Sequence, residues 1–220
     1  MIVAITNLKG GVGKSTITQN LAVCLAQMGY KVCIVDIDEN QNSMSWNGAR
    51  DESLPEITVV GAVEQKGFSK AVKSLHRDYE IVLVDGTPSL SAMTTSIILN
   101  ADFILIPLRP SAQDFRTMDK FLSRYNDAVG IKGEIPAYFL LNEYDDRKVI
   151  HRGIRETLEQ NYDLPFLQTR IGSRTIYNEA SVEGMGVYEA TSDEADKARQ
   201  EMVNLTNEVL QKASTLKLVG

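Results

Sequence analysis

Seven short runs of aliphatic and β-branched residues, spread along the whole chain at 2–6, 32–36, 57–60, 81–85, 103–108, 137–141 and 166–171, leave little choice of architecture. Between them apolar residues recur at the spacing of a helix face. Ile17, Leu21, Val23, Leu25 and Met28 form one such stripe, and it stops at Gly29, where a helix C-terminus favours glycine. Strands that are apolar at nearly every position are covered on both faces, and the alternating helices are what covers them. The expected fold is a doubly wound α/β layer, with a mainly parallel seven-stranded sheet and helices on both faces.

At 220 residues, without a repeat, a Pro- or Gly-rich linker or a low-complexity tract, residues 1–220 read as a single domain. The opening apolar run meets Lys9 too early for a signal peptide, and no later run reaches membrane-spanning length. A cytoplasmic protein is expected. Cys24 and Cys33 have no metal-ligand spacing and no histidine beside them, so both read as small core residues. A net charge of −6 excludes a protein that is basic all over; any contact with nucleic acid must come from a local patch.

The chemistry concentrates between the first run and the first helix, in Lys9-Gly10-Gly11-Val12-Gly13-Lys14-Ser15-Thr16. Closely spaced glycines let backbone N–H groups turn inward around phosphates, and the helix that follows points its positive end at the same anion. Lys14 is expected to reach the β- and γ-phosphates and the Ser15 hydroxyl to ligate Mg2+. The loop departs from the general phosphate-loop pattern, whose first glycine would fall at Leu8. Two further runs release carboxylates at their C-terminal ends, Asp36 with Asp38 and then Asp85, where open α/β sheets hold their ligands. Asp85 closes an apolar strand in the manner of a Walker B aspartate, holding Mg2+ through water, with Gly86-Thr87-Pro88 as the segment that senses the γ-phosphate.

A second lysine at the front of the loop is more than a one-subunit phosphate cradle needs. Here the chain resembles the ParA/MinD family of P-loop ATPases, whose deviant Walker A motif is Lys-Gly-Gly-x-Gly-Lys-[Ser/Thr]. The likeness continues through Asn20-Leu21-Ala22, Gly29, the Val35-Asp36-Ile37-Asp38 strand end, Val84-Asp85 and Pro107-Leu108-Arg109-Pro110-Ser111. It implies that Lys9 acts in trans on nucleotide held by a second copy in an ATP-sandwich homodimer. It also implies that Asp38 orients the attacking water, that Asp36 lies close to the Mg2+ shell and that Asn142 contacts adenine. Residues 107–115 and 174–184 are implied to lie near the base or the dimer face. The family usually follows the second aspartate with Pro-Gln, and this chain has Glu39-Asn40-Gln41 instead. No Asn-Lys-x-Asp guanine-reading motif is present, which favours ATP.

Members of that family bind ATP to dimerise and hydrolyse it to let go of a surface. Residues 147–155 carry Arg147, Lys148, Arg152 and Arg155 with no acid, and helical spacing sets Arg147, His151 and Arg155 on one stripe. With Arg170 and Arg174 beyond, this is the expected face for non-specific DNA, giving a nucleoid-associated partition ATPase that works with a ParB-like or other adaptor. The alternative is a MinD-like membrane-cycling ATPase. Against it, the tail at residues 210–220 has two lysines and no aromatic residue, too weak for a stable anchor.

Overall fold

The computed structural model describes residues 1–61, 64–89, 91–111 and 115–217. Strands β1 (Ile2–Ile5), β2 (Val32–Asp36), β3 (Thr58–Gly61), β4 (Ile81–Asp85), β5 (Phe103–Leu108) and β6 (Ala137–Leu141) form one sheet in the order β3-β2-β4-β1-β5-β6. Every pairing is parallel. The helices among the described residues are α1 (Lys14–Gln27), α2 (Asn42–Gly48), α3 (Gln65–Asp78), α4 (Ala92–Asn100), α5 (Phe115–Lys132), α6 (Val149–Asn161), α7 (Ile176–Val182) and α8 (Ala195–Lys217).

Side-chain alternation along the strands sorts the core into two layers. Val3, Ile5, Ile34, Leu83 and Leu105 pack with residues of α1, α7 and α8, including Leu21, Tyr177, Met202 and Leu205. Their neighbours Ala4, Cys33, Val35, Val82, Val84 and Ile104 pack on the other face with Phe68, Ile98 and Phe121 of α3, α4 and α5. Both cysteines are buried in these layers, and burial pushes their thiols up to about 11 for Cys24 and about 12 for Cys33. Helix α1 ends as its sequence predicts. Gly29 takes φ 90° and donates to the Ala26 carbonyl, while the Tyr30 N–H reaches back to Leu25, satisfying carbonyls the helix leaves open.

The sheet has six strands, one fewer than the sequence predicts. Residues 166–171 touch β6 at both ends: the Leu167 N–H donates to the Phe139 carbonyl and the Ile171 N–H to Leu141. Between these contacts the Gln168 and Thr169 N–H groups donate to the Glu208 carboxylate of α8, at 2.7 and 2.9 Å. A carboxylate accepting two N–H groups competes well with a neutral carbonyl ladder. The segment therefore forms a single bridge, Phe139 to Phe166.

Candidate nucleotide-binding site

Because all strands run the same way, their C-terminal ends meet on one rim of the sheet, and the register aligns what they carry. Asp36 lies opposite Asp85, and Asp85 opposite Ile5, the last residue of β1. On the other side of β1, Leu108 pairs with Leu141, which sets Arg109 beside Asn142. A cleft of about 860 Å³ opens along this rim. Its lining includes Gly10, Gly11, Gly13, Lys14, Ser15, Thr16, Asp38, Pro88, Arg109 and Asn142, with Gly172, Arg174 and Tyr177 forming a far wall.

The loop is shaped by contacts that no local pattern announces. Asn7, fully buried, donates to the Pro107 carbonyl at 2.8 Å and accepts from the Lys9 N–H at 3.0 Å. Asn142 donates from Nδ2 to the Val12 carbonyl at 2.8 Å. Gly13 has φ 92°, and a Cβ there would stand 2.2 Å from Asn142 Nδ2. Both the backbone angle and the asparagine therefore require glycine at that position. The sequence signal for Asn7 is an asparagine that follows the first apolar run two residues before Lys9.

Lys14 is buried, and its Nζ donates to the Lys9 carbonyl at 3.1 Å. Burial lowers its pKa, while Asp85 and then Asp38 act to raise it. Lys9 stands half-buried just before the cleft lining. Asp38 is 8% exposed and accepts from the N–H and Nδ2 of Asn40, so Asn40 steadies the carboxylate from two residues on. Asp36 is committed differently from the metal-shell expectation. Its oxygens accept the N–H groups of Asp38, Ser43 and Met44 at 3.1, 2.8 and 3.1 Å, so it holds the first turn of α2.

Asp85 is fully buried; Oδ2 accepts from the Ser43 hydroxyl at 2.8 Å and Oδ1 has no hydrogen-bond partner. Desolvation pushes its pKa up to about 7, opposed by Ser43, Ser15 and Lys14; the Ser15 hydroxyl does so without closing a hydrogen bond on Oδ1. An orphaned carboxylate oxygen beside a serine hydroxyl suits a hard divalent cation held partly through water. Ser15 and Asp85 are thus the residues that fit Mg2+. The raised pKa has a consequence in the protein with nothing bound. Stabilisation from protonated Asp85 is complete below its ordinary value of 3.8 and is lost as pH rises through about 7. Asp85→Asn is therefore expected to gain Tm relative to the wild type between pH 4 and pH 7, then hold that gain at higher pH. A Tm difference that does not change with pH overturns the assignment of this group.

The basic segment differs from its sequence reading. Helix α6 starts at Val149, so Arg147 and Lys148 precede it and cannot share a helical stripe with Arg155. His151 turns inward, accepts from the Asp145 N–H at 3.0 Å and lies against the Tyr144 ring. Much of the positive charge is paired: Arg147 with Asp145, Arg155 with Glu159 and Arg170 with Asp146. Arg174 pairs with Glu201 and lines the cleft. Within the two segments implied to flank the base or dimer face, Arg109, Arg174, Tyr177, Asn178, Ser181 and Val182 line the cleft, and residues 112–114 lie outside the described residues.

A parallel sheet with a glycine loop after its first strand, a buried lysine in that loop and strand-end carboxylates around it define a P-loop nucleotide-binding domain. Residues 3–187 match the family model described as the CobQ/CobB/MinD/ParA nucleotide binding domain, and the chain belongs to that family. It is 30% identical, over 94% of its length and 95% of the relative's, to the maintenance of carboxysome distribution protein A of Halothiobacillus neapolitanus. Among solved structures it is similar to the MinD cell division protein of Aquifex aeolicus, with TM-score 0.77, 19% identity, and 96% of this chain and 97% of that one covered. It is also similar to cobyrinic acid a,c-diamide synthase from Mycobacterium smegmatis with bound ATP analogue and magnesium, with TM-score 0.67, 21% identity, and 82% and 92% covered.

Proposed function

We propose that this protein is a ParA-type ATPase that dimerises on ATP and Mg2+, holds non-specific DNA in that state and lets go on hydrolysis, positioning a cargo through an adaptor protein. The observation that carries the reading is the cleft, which Lys14, Ser15 and Asp38 line together with the glycine loop, with Asp85 buried behind it close enough to act on Lys14 and Lys9 just before the lining. Similarity to a carboxysome distribution protein along nearly its full length supports the positioning role. Mg2+, when bound, neutralises charge on the β- and γ-phosphates. Lys14 and the loop N–H groups bind the phosphates within one subunit, Ser15 and Asp85 hold the cation, and Asp38 orients water. Asn142, braced on Val12, faces the base together with the wall from Ile171 to Arg174.

Lys9 acts on the partner's nucleotide, so the assembly is a homodimer when ATP is bound. The DNA face is assigned to Arg147, Lys148 and Arg152, all exposed, with Arg155 and Arg170 at its margin. Duplication by the dimer makes binding ATP-dependent and salt-sensitive. Titrating duplex DNA with ATP, ADP and no nucleotide is expected to show binding with ATP alone. Between about 50 and about 200 mM salt that affinity should fall by at least on the order of tenfold. ATP-independent binding, or none, overturns DNA as the track. A nucleoid location in the cell follows from the same reading.

One observation favours the second reading, cycling on an anionic membrane. Val149 and Ile150 are 73% and 67% exposed and sit among Arg147, Lys148 and Arg152, an arrangement that can press apolar side chains into a headgroup layer. Among the described residues no helix is long and apolar enough to cross a membrane. ATP-dependent sedimentation with phosphatidylglycerol vesicles, without DNA binding, would select this reading.

A further inference from the structure

Ser43 has no place in the loop, the strand-end carboxylates or the basic segment, yet it is fully buried at the centre of the site. Its hydroxyl donates to Asp85 Oδ2 at 2.8 Å and accepts from Gln19 Nε2 at 3.3 Å, while its N–H donates to Asp36 Oδ2 at 2.8 Å. One residue therefore bridges the two carboxylates that the sheet register sets opposite each other. The terminal torsion of an aspartate is broad and roughly two-fold, so a buried carboxylate without a fixed partner can exchange its oxygens. The Ser43 bond occupies Oδ2, and Oδ1 is the oxygen left without a hydrogen-bond partner.

Ser43 also belongs to the first turn of α2, and the far end of that helix is anchored elsewhere. Trp46, one turn on, is buried and donates from Nε1 to the Met185 carbonyl at 3.1 Å. Arg50 reaches the Gly184 carbonyl at 2.9 Å, and Gln19 joins Ser43 to Ser181 of α7 through a long 3.5 Å contact. A displacement at Asp85 has a short, continuous path through α2 to the segment beside α7.

We propose that Ser43 is a positioning residue that presents Asp85 Oδ1 to the divalent cation and transmits the occupancy of that carboxylate through α2 to Trp46 and the 184–189 segment. This role rests on the proposed nucleotide and cation occupancy of the cleft. Trp46 is the single tryptophan of the chain, so its emission reports on α2 without a label. Wild type and Ser43→Ala are titrated with ADP in EDTA, then with Mg2+ at saturating ADP, following Trp46 emission and calorimetric heat. ADP affinity in EDTA is expected to be equal in the two proteins. The Mg2+ dissociation constant of the variant should rise roughly 10-fold or more, as when a group that orients a metal ligand is removed. Its Mg2+-induced emission change should disappear, and Ser43→Thr should restore both.

Equal Mg2+ affinity and equal emission changes overturn the role of Ser43 while leaving the nucleotide reading intact. A matching loss of ADP affinity in EDTA also overturns it, because that is what a merely structural residue would do. Absence of ADP binding by the wild type removes the occupancy reading and this role with it. Should the alanine variant not fold, Ser43→Cys, near in size and a far weaker donor, carries the same comparison.

Discussion

Lys9→Ala is expected to leave ATP binding nearly unchanged and to slow turnover by a factor on the order of 10³, the lower end of what a trans-acting cation contributes in GTPases. On the proposed function the phosphates are gripped by Lys14 and the loop N–H groups, and none of those is removed. The Lys9 main chain stays in place too, since its N–H is held by Asn7 and its carbonyl by Lys14. What disappears, on that reading, is positive charge arriving from the second copy as negative charge develops in the transition state. Single-turnover hydrolysis beside equilibrium binding of a non-hydrolysable ATP analogue separates the two effects. Unaltered turnover sinks the trans role, and a parallel loss of binding would move Lys9 into its own subunit's phosphate site.

The second large effect concerns the anchor of α2. Arg50 and Glu189 are paired through both oxygens at 2.8 and 2.5 Å, with side chains only 5% and 2% exposed. Arg50 also donates to the Gly184 and Pro55 carbonyls and lies over the Trp46 ring. Arg50→Ala leaves a buried carboxylate with only the Gly186 N–H and strips the two carbonyls of their arginine donor, for which about 3–5 kcal/mol of destabilisation is expected. In a domain of this size that is a Tm loss on the order of 10 °C. The double variant Arg50→Met with Glu189→Leu should recover much of it, since an apolar pair leaves no stranded charge. A loss below about 1 kcal/mol for Arg50→Ala, by urea unfolding without nucleotide, would show that the pair does not anchor α2.

Much of the site was legible because its parts are local. The glycine loop, the two lysines and the aspartates at strand ends are read from stretches of a few residues, and parallel strands must gather their C-terminal ends on one rim. The partners that complete the site come from far along the chain. Asn7 meets Pro107 across 100 residues, Asn142 meets Val12 across 130, and Arg50 meets Glu189 across 139. Spacing carries no information about such pairs. For Asp36, Ser43 and Met44 the separation is small, but their mutual contact depends on a turn at Gln41 with φ 49°, which no periodic pattern reveals.

The basic segment and the seventh run show the same boundary from the other side. Counting residues placed Arg147 on a helix, and the chain begins that helix two residues later because residues 145–148 are occupied by the Asp145 turn to Arg147 and His151. Residues 166–171 have strand composition, and Glu208, delivered by α8, takes the N–H groups a strand would need. Side-chain period and residue type were enough for six of the seven strand runs, the phosphate loop and the carboxylate-bearing rim, because each follows from covalent neighbours. Which hydrogen-bonding groups win when several compete was left to the packed chain, since that contest is settled only when distant segments are brought within 3 Å of one another.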